Sequence, residues 1–130
     1  MKIRTHVNAI PVIALVDDDA AVRHALGRLV RAFDLAVELY PSAMDLLQSG
    51  SIDAIDCIIT DVQMPGMDGF ALNDALRARG LRLPIIFMTG FEQKGYALRA
   101  QAAGVACFLS KPFQESDVLR CIERALGMHR

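Results

Sequence analysis

IDCIITDVQMPGMDGFALNDALRARG, residues 55–80, reads as a strand, a turn and a helix in that order. Ile55 to Thr60 is a short apolar run of the kind that fills a strand buried on both faces. Asp61 follows at once, ahead of the MPGMDG turn, where acidic residues are common. Asp68 is a candidate N-cap for the helix that begins after Met67-Asp68-Gly69, and Gly80 stops that helix.

The same unit recurs on either side. Val12 to Val16, Ile85 to Met88 and Val105 to Leu109 are further apolar runs that read as buried strands. Val22, Ala25, Leu26, Leu29, Val30 and Phe33 form one apolar helical stripe after the first run, and Val118, Leu119, Ile122 and Leu126 form another near the end. Ala36 to Tyr40 alternates apolar and polar residues, with Glu38 in the middle, as an edge strand with one wetter face does. A short helix follows from about Ser42, whose hydroxyl can cap it. Another follows the Gly90-Phe91-Glu92 turn and is stopped by Gly104. Five strand-then-helix repeats predict an α/β fold with a parallel sheet covered on both faces, because right-handed crossovers place helices there.

At 130 residues the chain suits one domain. The expected boundaries are an N-terminal extension over 1–10, the domain over 11–127 and a tail over 128–130, with no output domain among these residues. With six Phe, two Tyr and no Trp, the core must come largely from Ile, Val, Leu, Ala and Met. Fourteen Lys and Arg against fifteen Asp and Glu leave a net charge of -1, so direct nucleic acid binding by this chain is not expected. No apolar run reaches the ~18 residues of a membrane span. The N-terminus runs into Asp17-Asp18-Asp19 instead of a cleavage site, so a cytoplasmic protein with no membrane association is expected. Cys57, Cys107 and Cys121 are odd in number and widely spaced, which indicates packed thiols and neither a disulfide framework nor a zinc site. His6, His24 and His129 form no metal-ligand pair and read as surface residues.

The polar residues of interest stand at strand C-terminal ends or just beyond: Asp17-Asp18-Asp19, Asp61, Thr89 and Lys111. Open parallel sheets bind ligands at that edge, near the point where strand order reverses. Singly, each has a plainer reading: Asp19 as a helix cap, Asp61 as a turn-flanking acid, Thr89 as a strand end and Lys111 as a surface charge. Jointly they should converge. Clustered carboxylates repel and raise one another's pKa unless a cation neutralises them, and an oxygen-only donor set favours magnesium over zinc or copper.

The strings VDDD (16–19), TDVQMPGMDG (60–69), FMTG (87–90) and FLSKPF (108–113) together resemble the signatures of bacterial two-component response-regulator receiver domains. The resemblance covers about 11–127, and the TG and KPF elements look most like receivers of the nitrogen-fixation (FixJ-type) regulator group. It implies a CheY-like, flavodoxin-like doubly wound (βα)5 fold with strand order 2-1-3-4-5. By the same resemblance Asp61 is the phosphoacceptor, taking a phosphoryl group from a partner histidine kinase. Asp18, Asp61 and the backbone carbonyl of Gln63 would hold Mg2+, with Asp17 acting through water. Lys111 and Thr89 would contact the phosphoryl group, Thr89 and Phe108 would form the switch, and Pro112 would follow a cis peptide after Lys111. Phosphorylation would repack the face of the fourth helix and fifth strand, giving homodimerisation and an output such as transcription. As a residue on a strand, Phe108 also has a plain reading as a core aromatic.

Two positions depart from the commonest family pattern. Cys107 stands where close relatives often have Asp, and Phe91, two residues past Thr89, is large for a site rim. Bulk at Phe91 is expected to hinder hydrolytic water and lengthen the phosphorylated state's life. Three rival readings are weaker. A haloacid-dehalogenase-type phosphatase resembles a D-x-D pattern with a second, acid-catalysing Asp, but here Gln63 stands there and cannot donate a proton as an acid does. A nucleotide module would need glycines where Asp17-Asp18-Asp19 stands. A degenerate receiver, serving only as a docking surface, would not need the full set Asp17, Asp18, Asp61, Thr89 and Lys111.

Overall fold

A computed structural model describes residues 10–90 and 95–127. The elements run β1 (Val12–Val16), α1 (Ala20–Ala32), β2 (Ala36–Tyr40), α2 (Ala43–Leu47), β3 (Cys57–Asp61), α3 (Gly69–Ala78), β4 (Ile85–Thr89), α4 (Tyr96–Ala102), β5 (Cys107–Ser110) and α5 (Glu115–Ala125). All five strands are parallel, in the order β2-β1-β3-β4-β5. This is the doubly wound, flavodoxin-like arrangement expected above.

Strand side chains alternate between faces, and the alternation sorts the core into two layers. Ala14, Val16, Ile58, Ile85 and Phe87 pack with α2, α3 and α4 residues such as Leu46, Leu72 and Ala100. Ile13, Leu15, Ile59, Ile86 and Met88 pack on the other face with Leu26 and Val30 of α1 and Val118 and Ile122 of α5. Strand β5 follows the same rule, so Phe108 packs toward the α3–α4 layer while Cys107 and Leu109 belong to the α1–α5 layer. That parity matters for function, because adjacent residues of one strand report to opposite faces.

The expected segments are present with shifted ends. β3 starts at Cys57 because a single 3-10 turn, Ile52–Ala54, precedes Ile55. It runs through Asp61, which is therefore the last strand residue and does not follow the strand. Thr89 likewise ends β4. β5 begins two residues later than the apolar run, after Gly104 turns the chain with a positive φ of 76°. α1 ends at Ala32, and Phe33 is its C-cap while still packing on the α1–α5 layer. Asp19, Ser42 and Asp68 all cap their helices through side-chain oxygens.

The cysteines depart from the sequence reading. Cys107 and Cys121, expected as separate packed thiols, are joined by a disulfide whose Cα atoms lie 5.6 Å apart. Spacing could not reveal this: a separation of 14 positions carries the chain out of β5 and back along α5, and only their packing brings the two together. Cys57 is a free, buried thiol, as expected. His24 is exposed, whereas His6 and His129, like residues 1–9, Phe91 and 128–130, lie outside the described residues.

Gly69 sits where α3 passes closest to the end of β3. An added Cβ would lie 3.0 Å from the Asp61 carbonyl oxygen and 3.1 Å from the Val62 Cα, both backbone atoms that cannot rotate away. Gly69→Ala is therefore expected to cost about 1–3 kcal/mol through overpacking. Urea unfolding measures it; a stability equal to wild type would show that the 62–68 loop yields freely.

Candidate functional site

Strand order reverses beside β1, since the chain steps from β1 outward to β2 and then returns to β3 on the other side. The crevice at such a point opens at the C-terminal edge of the sheet. Asp17, directly after β1, and Asp61, at the end of β3, flank it. Carboxylate oxygens of Asp17, Asp18 and Asp61 all come within 4.8 Å of one another. Asp17 and Asp61 are buried, while Asp18 is exposed.

Each acid is held differently. One oxygen of Asp17 accepts from the Asp19 amide at 2.9 Å and the other from Lys111 Nζ at 3.0 Å. The Asp17 carbonyl accepts from Arg23 at 2.6 Å, which ties the loop to α1. Asp61 Oδ1 accepts from the Gln63 amide at 3.3 Å, and Oδ2 accepts from Lys111 Nζ at 3.3 Å. Asp19 points elsewhere: it accepts from the Ala21 and Val22 amides as the N-cap of α1. The triplet therefore divides into two residues of the cluster and one helix cap.

Lys111 reaches the acids from just past β5. Its backbone amide donates to the Thr89 carbonyl at 2.8 Å, and the Lys111–Pro112 peptide is cis. Thr89 is buried, at the end of β4. β4 lies between β3 and β5, with Met88 opposite Asp61 and Thr89 opposite Ser110. Phe108 is half-buried on β5, opposite Phe87.

The electrostatics follow from crowding. Burial pushes the Asp61 carboxyl above its ordinary value, Lys111 pulls it down, Asp17 pushes it up, and the net direction is upward. Burial alone would lower Lys111, but the hydrogen bond and charge of Asp17, and then those of Asp61, outweigh it and raise the ammonium. Three carboxylates against one ammonium leave a formal excess of two negative charges. An all-oxygen donor set with that charge excess fits a hard divalent cation and does not fit a thiophilic metal.

Sequence reading missed one connection. Gln63 Nε2 donates to the Tyr96 hydroxyl at 3.1 Å, linking the loop after β3 to the start of α4. Tyr96 packs at an angle on Phe70, and the Arg99 guanidinium lies 3.9 Å from the Phe70 ring centre. A lone tyrosine 33 positions from Gln63 carries no sequence signal for such a contact.

A family model for the response regulator receiver domain matches residues 13–123, and the chain belongs to that family. Its members are the signalling switches of two-component systems. The chain is 41% identical over 117 residues to the response regulator protein TodT of Pseudomonas putida, covering 90% of this chain and 52% of TodT. It is 38% identical over 115 residues to the transcriptional regulatory protein FixJ of Azorhizobium caulinodans, covering 88% of this chain and 54% of FixJ. It thus spans about half the length of these curated relatives. Among solved structures it resembles FixJ-N, with a TM-score of 0.83, 29% identity and coverage of 94% and 98%. It also resembles the Vibrio cholerae chemotaxis protein CheY4, with a TM-score of 0.82, 27% identity and coverage of 91% and 100%. No helix among the described residues is long and apolar enough to cross a membrane.

Proposed function

We propose that this receiver, acting in the cytoplasm, takes a phosphoryl group on Asp61 from the phosphohistidine of a sensor kinase, with Mg2+ held by Asp18, Asp61 and the Gln63 carbonyl and, through water, by Asp17. The observation that carries the reading is the convergence of two buried carboxylates and Asp18 with Lys111 at the sheet's switch point. An oxygen of Asp61 attacks phosphorus, the phosphorus–nitrogen bond breaks, and the leaving imidazole keeps the electron pair and takes a proton. Lys111 places positive charge where phosphoryl oxygens gather, and Asp17 holds Lys111 in that position. Magnesium, when bound, supplies the remaining charge neutralisation during transfer.

Incubation with acetyl phosphate and Mg2+, followed by intact mass measurement, tests the reading. One labile phosphoryl group per chain is expected. Continuous release of free phosphate would point to a phosphatase, and no uptake at all to a docking module that works without phosphorylation.

The division of the aspartate triplet sets a second expectation. Asp18→Ala should weaken Mg2+ binding severalfold, whereas Asp19→Ala should leave it near wild type and lower helix stability by about 1 kcal/mol through loss of the cap. Thermal unfolding across a Mg2+ titration reads both, because saturation at a hundredfold over Kd adds about 2.7 kcal/mol to the folded state. Equal losses of Mg2+ affinity in the two variants would mean that the triplet is misassigned.

For output, the phosphoryl oxygens offer the Thr89 hydroxyl a new acceptor, and inward movement of Thr89 vacates space for Phe108 on the neighbouring strand. Phe108 belongs to the α3–α4 layer, so its rotation repacks the α4–β5 face and promotes homodimerisation. Moving from a few per cent active to mostly active requires about 3–5 kcal/mol, a scale that several charge-assisted hydrogen bonds reach. Sedimentation with beryllofluoride should show dimers for wild type and few for Thr89→Ala. Equal dimerisation would break the proposed link from Thr89 to Phe108. Coupling to transcription would follow in a protein where a DNA-binding domain accompanies this receiver.

A further inference from the structure

We infer that Cys107 and Cys121 form a reversible redox site that clamps α5 onto β5 when oxidised and frees that contact when reduced. The pair joins the middle of α5 to the first residue of β5, with its Cα atoms at 5.6 Å, inside the range a disulfide spans without moving backbone. Cys121 is buried, but Cys107 is only partly buried, so an exchange partner has one partly accessible end of the bond. No third thiol competes. Cys57 is fully buried, and burial first, then the charge of Asp56, push its thiol up to about 12, which suppresses the thiolate needed for exchange.

The chemistry requires a small-molecule disulfide such as oxidised glutathione as oxidant. The Cys107 thiolate attacks it, expelling one thiol and leaving a mixed disulfide. The Cys121 thiolate then attacks the Cys107 sulfur and expels the second thiol. Two protein thiols become one disulfide while the oxidant is reduced to two thiols, and a dithiol reductant reverses the sequence. No metal or phosphoryl group takes part.

Position gives the site its consequence. Cys107 immediately precedes Phe108, and its strand neighbour across the ladder is Ile86 of β4, the strand that ends in Thr89. A closed bond fixes the start of β5 to α5, and so restrains the strand that carries Phe108. This second half rests on the switch proposed above, whereas the redox site itself does not.

The test uses the whole chain after equilibration with oxidised glutathione or with dithiothreitol. Under native conditions N-ethylmaleimide should label Cys107 in the second case and not in the first; after denaturation it should label Cys121 in the second case only and Cys57 in both. Amide exchange over 107–125 should be roughly tenfold slower in the oxidised state, because the cross-link restricts local opening. Cys107→Ala and Cys121→Ala should show the fast exchange under both treatments. Labelling of both residues after oxidation, a bond that stays closed in dithiothreitol, or exchange that ignores its state would each overturn the site. Beryllofluoride should alter exchange over 107–125 in the reduced protein and much less in the oxidised one. An equal response in both states would overturn the restraint on the switch. No response in either state, with labelling and exchange as expected, would instead count against the phosphorylation reading and leave the redox site standing.

Discussion

Asp61→Asn is expected to abolish phosphoryl uptake from acetyl phosphate while raising thermal stability in the absence of Mg2+. The amide keeps the shape of the side chain but lacks the nucleophilic, metal-binding anion. Stability should rise because Asp61 is held buried beside Asp17, and burial makes its charged form the unfavourable one. The sign of the pH dependence follows. An acid whose folded pKa is raised binds its proton more tightly when folded, so it favours folding at low pH, and that contribution is lost as pH rises through the folded value. The advantage of Asp61→Asn should therefore be largest at neutral pH and shrink on acidification toward the ordinary value of 3.8. Mass spectrometry reads the uptake and thermal unfolding between acid and neutral pH reads the stability. Undiminished acyl phosphate would remove Asp61 as acceptor, and an advantage that grew toward low pH would contradict the burial argument.

Lys111→Met should have the opposite effect on stability. The thioether keeps the stem that packs over Gly90, but it leaves Asp17 and Asp61, which are 1% and 8% exposed, without their shared cation. Removing one partner of a buried ion pair costs about 3–5 kcal/mol, and the lower end applies here because the ammonium retains some access to water. Mg2+ should recover more stability in this variant than in wild type, since a positive charge beside the cation site has gone. Because Lys111 is raised in the folded state, its contribution is present below the ordinary 10.5 and fades only as pH climbs through the folded value. The deficit of Lys111→Met should thus persist across neutral pH. Urea unfolding with and without Mg2+ decides the matter; wild-type stability without Mg2+, or a smaller Mg2+ gain, would show that Lys111 is not the counter-charge of this cluster.

Much of this protein is legible in one dimension because its strands are short, apolar and separated by helices with clear stops. Val12–Val16 and Ala36–Tyr40 match their apolar and alternating runs residue for residue. The strand ends at Asp61 and Thr89 were less legible, because a polar residue at the sheet edge continues the ladder without altering the apolar pattern that marks the strand. The identities of Asp17, Asp18, Asp61 and Lys111 were visible through their positions relative to those strands, since a parallel sheet aligns all its C-terminal ends on one edge.

The sequence alone determined the five-fold strand–helix alternation, a parallel sheet covered on both faces and which polar residues reach its C-terminal edge, because backbone periodicity and short-range capping act within a few residues. Tertiary structure alone decided the bond from Gln63 to Tyr96 and the pairing of Cys107 with Cys121. Each depends on distance between residues or on side-chain direction after packing, and neither quantity is encoded in the spacing of residue types along the chain.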